Sequence, residues 1–544
     1  MRGTLPAALA LVAATALLAP ATGRTQPSPA VRGRADAFVG GELERYLRYL
    51  QTTGDVAPSP WSLRSLAPRE LDALLPAARA HPWADRFDFA PRTAATTVEL
   101  IPPTVSVRYN SAFPYGFNDG PVWAGRGATT AAQLGVAARW RAVSLTLAPI
   151  VFRAENAAFA LQQNGLAGDL AYASGILPTE VDRPQRYGSA AYTAVDPGQS
   201  TLRVDGYGLA AGLSTANEVW GPASEFPFLL GTNAAGIPRL IAGTSEPVNL
   251  WVARLHARLL WGRPATTRYT TITGRARRRL TTGFAAVLLP RGVPGLELGV
   301  GRFSHAQWPS GGLRLSDVRR PLDGLLGGVL QKDAGTDSVQ ENQLASVFFR
   351  WAQARSGFEL YGEFGRDDQT ADTRDFLVEP DHASSAMIGV RKAWRRPSGR
   401  LVAARAEILD LQAPTIGRNR GEGFAYTNIS VRQGHTHLGQ LLGAPVGVGS
   451  VAGATAAAEL YHPRGRWTLS WARLLTQHAM AYENTGVVNP RDTDVQHALG
   501  VEALVFGRRV DVTGGLTGVY EFNRYLREDA FNLNAVAAVR YAFR

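Results

Sequence analysis

The chain has 544 residues, no cysteine, and 57 Lys and Arg against 45 Asp and Glu, a formal net charge of +12. The missing cysteines exclude a disulfide framework, a thiol nucleophile and a Cys-ligated zinc site. The positive charge is carried by Arg, with Lys only at Lys332 and Lys392, and it has two readings: a field attractive to an acidic polymer, or solvated charges on turns and loops.

In chain order, Arg2 precedes an apolar run from Leu5 to Leu18, and small residues follow at Ala19, Pro20 and Ala21. The run is too short to span a bilayer and no later stretch is long enough, so residues 1–23 read as a signal peptide. Residues 24–95 read as a short helical segment. Phe38, Leu43, Tyr46, Leu47 and Leu50 recur at helical steps with Glu42, Glu44, Arg45 and Arg48 between them. After a break at Pro58 and Pro60, a second helix is predicted over residues 65–80, with Pro68 and Glu70 at its start. Two short helices cannot form a stable domain alone and must lean on something larger.

From residue 96 to 544 the apolar period is that of a strand. Val510, Val512, Leu516 and Tyr520 alternate with Asp511, Thr513, Thr517 and Glu521; Trp467, Leu469 and Trp471 alternate with Thr468 and Ser470; Phe358, Leu360 and Phe364 oppose Glu359 and Glu363. Aromatic-rich faces recurring over the chain with no helices to cover them point to lipid as the apolar partner. Tight turns near residues 139–142, 291–295, 355–357, 396–399, 462–465 and 507–509 alternate with long connections such as 306–341 and 367–383, the habit of outer-membrane barrels. About seventeen strands can be counted, whereas an even number is required if both ends lie on the periplasmic side. Two irregularities accompany the odd count. Residues 215–247 form a long insert where a short turn is expected, and a parity slip between Leu411 and Val451 suggests a further strand there. The last strand carries Leu533, Ala535, Ala537, Val539, Tyr541 and Phe543 on one face.

Residues 110–127, NSAFPYGFNDGPVWAGRG, form the densest unusual run: aromatic rings beside groups that can hydrogen-bond hydroxyls, with glycines allowing close backbone approach. This run resembles the signature of the capsule assembly Wzi family. Residues 212–247, GLSTANEVWGPASEFPFLLGTNAAGIPRLIAGTSEP, and residues 432–450, RQGHTHLGQLLGAPVGVGS, are similar to two later segments of that family, in the same order. The resemblance implies an all-β membrane protein, a large antiparallel transmembrane β-barrel of about eighteen strands, with the helical segment at its periplasmic end. It implies an outer-membrane location and non-enzymatic, lectin-like binding of capsular or exported polysaccharide. Outer-membrane lipid is the other expected partner, a monomer is expected, and nucleic acid is not, since no binding module for it is recognisable. A porin or oligosaccharide-selective channel is the alternative, and an outer-membrane hydrolase the third reading.

The candidate ligand-binding residues are Tyr115, Asn118, Asp119, Trp123, Arg126, Trp220, Asn233 and Arg239. The same residues have a structural reading, in which an Asp119–Arg126 pair holds the folded inserts in place. No catalytic residue, metal or cofactor is expected. His435 and His437 share a strand face but have no carboxylate or Cys partner nearby, and no nucleophile elbow, zinc-protease or phosphate-loop motif occurs. Glu359, Glu363, Arg405, Glu407, Asp511 and Glu521 are expected to form a lumenal network of paired charges that fills the barrel.

Overall fold

The computed structural model describes residues 37–74, 81–87, 96–326, 341–367, 377–378, 383–412, 424–478 and 493–541. The expected signal segment lies outside them. An eighteen-strand antiparallel barrel forms the wall. It runs from Thr96–Asn110 and Gly127–Trp140 through two interrupted strands, Val143–Leu147 with Ile150–Ala154 and Tyr192–Asp196 with Thr201–Gly206. Leu209–Ser214 and Arg239–Thr244 follow, the latter extended by Val248–Asn249, and then Ala253–Gly262, Arg279–Pro290, Leu296–Gln307, Glu341–Gln353 and Phe358–Asp367. Ser384–Arg395, Leu401–Leu411, Val451–His462, Gly465–His478, Thr493–Phe506, Val510–Arg524 and Glu528–Tyr541 complete the circuit. Pairing of Thr104 with Arg540 through Asn110 with Asn534 closes the seam.

The wall forms because each strand presents opposite chemistry on its two sides. Trp467, Leu469 and Trp471 are exposed, while the alternate residues Arg466 and Thr468 are buried; Phe364 is exposed, while Glu359 and Glu363 are buried. A strand whose large apolar residues are its outward ones needs hydrocarbon around it, and closure leaves no unpaired edge in that hydrocarbon. The protein is therefore an outer-membrane barrel.

Both irregularities in the expected topology resolve. Leu209–Ser214 runs toward the long-loop rim, so the insert over residues 215–238 leaves from the rim where long connections belong. Leu401–Leu411 pairs directly with Val451–His462, so the expected additional strand between Leu411 and Val451 is not part of the wall. The even count comes instead from the interrupted strands, which break at Pro149 and Pro197, where proline cannot donate to the ladder. Thr96 and Tyr541 both lie on the short-turn rim.

The lumen is filled from both ends. From the short-turn rim comes the N-terminal segment, whose helix Glu42–Thr52 is enclosed on all sides: Leu43, Tyr46, Leu47 and Leu50 are buried, and so are Glu44, Arg48 and Gln51. Tyr46 stacks on Trp83 at 4.1 Å between centroids, and the Trp83 indole donates to the carbonyls of His462 and Gly465 at 3.2 Å. The second helix, Pro68–Ala73, is shorter than predicted; residues 75–80 lie outside the described ones. From the long-loop rim comes the insert over residues 215–238, which packs Trp220, Phe226, Phe228, Leu229 and Leu230 against the wall residues Val287, Phe303, Leu344, Phe348 and Tyr361. The two arms meet inside the barrel, where Leu63 pairs with Trp220 and Arg64 with Val219. Only glycine fits after Trp220: Gly221 has φ of 102°, and a Cβ there would lie 2.6 Å from a Glu363 carboxylate oxygen.

Buried charges bind this plug to the wall, with Glu359 at the centre. It takes the Arg48 guanidinium of the N-terminal helix and the Arg350 guanidinium of a wall strand, and Thr52 donates to it at 3.0 Å. Arg48 also donates to Ser224 Oγ and the Pro222 carbonyl of the insert, both at 2.8 Å. Arg350 reaches Glu297 at 2.6 Å, and Glu297 accepts from the Trp61 and Ser62 amides. Glu407 accepts the Ser224, Glu225 and Phe226 amides and the Tyr361 hydroxyl. Arg405 pairs with Glu225 and Glu459, and Asp511 with Arg86 and Arg540. Arg258 bridges Glu70 at 2.7 Å and Glu218 at 2.9 Å. Burial by itself raises the Glu70 carboxyl, but Arg258 and Arg203 beside it hold it down at about 2.

Removing one member of such a network leaves the others charged and buried. Glu359→Ala is expected to cost about 3–5 kcal/mol and to lower the temperature at which the compact barrel band on gels converts to the unfolded one. An unchanged conversion temperature contradicts the structural weight placed on this carboxylate.

Candidate functional site

The loop over residues 111–126 folds inward across the outer mouth because of what happens at the barrel seam. Asn110, the last residue of its strand, extends its side-chain NH2 to the carbonyls of Tyr115, Ala124 and Gly125 at 3.1–3.2 Å. Its amide oxygen accepts from Asn532 at 3.1 Å and Asn534 at 2.9 Å on the strand that closes the barrel. The Asn532 oxygen accepts the Ala112 amide at 2.8 Å. Loop and seam are thus one hydrogen-bonded unit.

The expected Asp119–Arg126 pair does not form. Asp119 pairs with Arg108 at 2.6 Å, an inward residue of the first wall strand, while Arg126 donates to the carbonyls of Ser111 and Ala158. Burial raises the Asp119 carboxyl, with Arg108 opposing. Asn118 has a left-handed backbone, φ 56°, and its NH2 donates to the Glu225 carbonyl at 3.1 Å. Trp220 is fully buried under Phe303, and Arg239 is buried against Glu218 at 3.2 Å. Asn118, Arg126, Trp220 and Arg239 therefore hold the inserts together.

Tyr115, Asp119, Trp123 and Asn233 are brought to one place: a cleft of about 250 Å³ between the outer inserts and the upper ends of the wall strands. Trp123 packs on Tyr187 at 4.9 Å, and a Cβ at Gly125 would lie 2.6 Å from the Trp123 ring. Phe117, Phe159 and Tyr525 add aromatic surface.

The cleft's other side chains carry no motif visible in the sequence. Gln162 and Gln185 come from the insert over residues 155–191, Gln440 from the insert over 412–450, and Gln477 and Gln496 from strand ends. Each amide is positioned by the protein. Gln440 donates to the Gly120 carbonyl at 3.0 Å, Gln496 to Glu521 at 3.1 Å, and Asn233 to the Leu441 carbonyl at 3.0 Å. Among the described residues their amide oxygens have no partner, which leaves acceptors for a hydroxyl-rich ligand. Gln162 and Gln477 bond to each other at 3.1 Å. Arg183, Arg524, Asp494 and Glu521 bring charge; Arg524 is paired with Glu521 and lies over the Phe113 ring at 4.1 Å. Aromatic faces with fixed amides suit a saccharide, whose C–H faces stack and whose hydroxyls need both donors and acceptors.

Other chemistry-bearing groups lie elsewhere. A cavity of about 130 Å³ separates the N-terminal segment from the wall, and Arg203, Glu218 and Arg239 among its charged groups pair with Asp205, Arg258 and one another. His435 bonds to the Leu229 carbonyl and accepts from His305 at 2.9 Å; His437 accepts the Ala265 amide at 2.9 Å. Burial drives both imidazoles down to about 3, so they are neutral packing groups. Glu359, Glu407, Arg405 and Asp511 belong to the lumenal network.

Asn110→Ala leaves several buried carbonyl and amide groups unpaired at about 1–3 kcal/mol each. The expected outcome is a lower unfolding temperature and protease cleavage within residues 111–126, neither of which Gln440→Ala produces. Protease resistance and unfolding like the parent in the Asn110 variant contradict the seam's role.

The sequence matches no family model and no curated protein. Among solved structures the chain resembles Wzi, described as an outer membrane protein involved in group 1 capsule assembly in Escherichia coli and as a carbohydrate-binding β-barrel. The TM-score is 0.60 at 14% identity, over 93% of this chain and 99% of that one. OccAB4 of Acinetobacter baumannii gives 0.39 at 9% identity over 82% and 98%, and OccK9 of Pseudomonas aeruginosa 0.37 at 9% over 82% and 98%; these two likenesses are too slight to carry an argument. The chain thus has the fold of the Wzi barrel.

Proposed function

We propose that this outer-membrane barrel binds exported polysaccharide at the cell surface through the cleft between its outer inserts, and performs no chemistry on it. The observation that carries this reading is the pairing of a lumen filled from both ends with an amide- and aromatic-lined cleft at the outer mouth. A filled lumen argues against a diffusion porin, since a barrel of this size conducts only if its interior is left open. The description of Wzi as a carbohydrate-binding barrel involved in capsule assembly agrees with it. In this reading Trp123 and Tyr115 supply faces for sugar rings, Gln440, Gln496 and Asn233 supply hydroxyl contacts, and the chain acts as a monomer surrounded by lipid.

The test is retention of polysaccharide by whole cells and by purified protein. Trp123→Ala is expected to weaken binding by about 1 kcal/mol, roughly fivefold, and Gln440→Ala by a similar factor, with heat-resistant barrel migration preserved in both. Unaltered retention by well-folded versions of both variants removes the cleft as the binding surface.

A further inference from the structure

Arg183 differs from the ion-paired arginines of the lumen. Arg48, Arg258, Arg350 and Arg466 each have a carboxylate partner within the barrel, and Arg524 in the same cleft has Glu521. Arg183 lines the cleft, is half-buried, and has no hydrogen bond or ion pair among the described residues. Its ionisable neighbours are the phenols of Tyr525 and Tyr187; Asp494 and Glu521, the other carboxylates of the cleft beside Asp119, are not among them.

Its backbone is fixed on both sides. The Asp182 carboxylate accepts the Thr267 amide at 2.7 Å, Arg186 donates to the Asn156 and Ser189 carbonyls, and the Tyr187 hydroxyl donates to the Leu438 carbonyl at 2.6 Å. Pro184 follows directly. An unpaired guanidinium on a backbone fixed at the cleft wall is available to an anion that a ligand brings, and a bidentate contact with a planar anion is the strongest it can make.

We propose that Arg183 anchors an anionic substituent on the bound polysaccharide, a uronic carboxylate or a phosphate or sulfate ester, so that the cleft selects acidic over neutral polymers. This rests on the polysaccharide-binding reading and adds charge selectivity to it.

The experiment measures binding of the full chain in detergent to polygalacturonate, dextran sulfate and neutral dextran, at fixed ionic strength. Preference for an acidic polymer by tenfold or more over dextran is expected, with polygalacturonate or dextran sulfate favoured according to which anion the site takes. Arg183→Gln is expected to abolish that preference while leaving dextran binding unchanged, and Arg183→Lys to restore part of it. Equal binding of acidic and neutral polymers, or a preference that survives in Arg183→Gln, overturns the charge selectivity and leaves polysaccharide binding standing. Failure to bind any of the three overturns both.

Discussion

A barrel of this circumference encloses a space that must be either water or protein, and the inward Glu359 decides for protein. Its carboxylate is buried, so it is tolerable only when paired, and its partners come from three directions: Arg350 from the wall, Arg48 and Thr52 from the N-terminal helix and, through Arg48, Ser224 and Pro222 of the outer insert. One buried anion thereby ties together the wall and the segments that enter from its two rims. Glu297 and Glu407 repeat the arrangement by collecting backbone amides of the N-terminal segment and the insert. Because each arm completes the other's hydrogen bonds, neither is expected to order without the barrel around it. Arginine suits this demand, since a guanidinium can meet a carboxylate and a carbonyl at once.

The outer cleft depends on the plug beneath it. Asn118 is held by the Glu225 carbonyl, Gln440 by the Gly120 carbonyl, and Asn233 by the Leu441 carbonyl, so three of the inserts that wall the cleft are bonded to each other above a filled lumen. A site assembled this way is rigid before ligand arrives, which reduces the ordering cost of binding.

Much of the fold was legible in the sequence because lipid and lumen impose an alternation, and strands such as Val510–Arg524 and Gly465–His478 obey it over most of their length, up to the register shifts at Glu521/Arg524 and Leu475/Gln477. The strand count was not, because Val143–Leu147 and Thr201–Gly206 are halves of strands broken at prolines and Leu209–Ser214 has only six residues. Too few alternations remain there to be seen. In the site, Tyr115, Trp123 and Asp119 stood out since one loop carries them, and Asn233 because it sits in the second run that resembles the Wzi family. The glutamines and Arg183 come from separate inserts and strand ends and share no motif. Asp119 was matched with the wrong arginine because its true partner, Arg108, is an ordinary inward residue of a wall strand, and which strand faces a loop is a property of barrel closure.

The claim on which the rest stands is that the lumen is closed in the native protein. Single-channel recording of the purified, intact chain in planar bilayers tests it most directly. A closed lumen predicts no steady conductance at moderate voltage, whereas large, long-lived openings of the kind a diffusion porin gives contradict it.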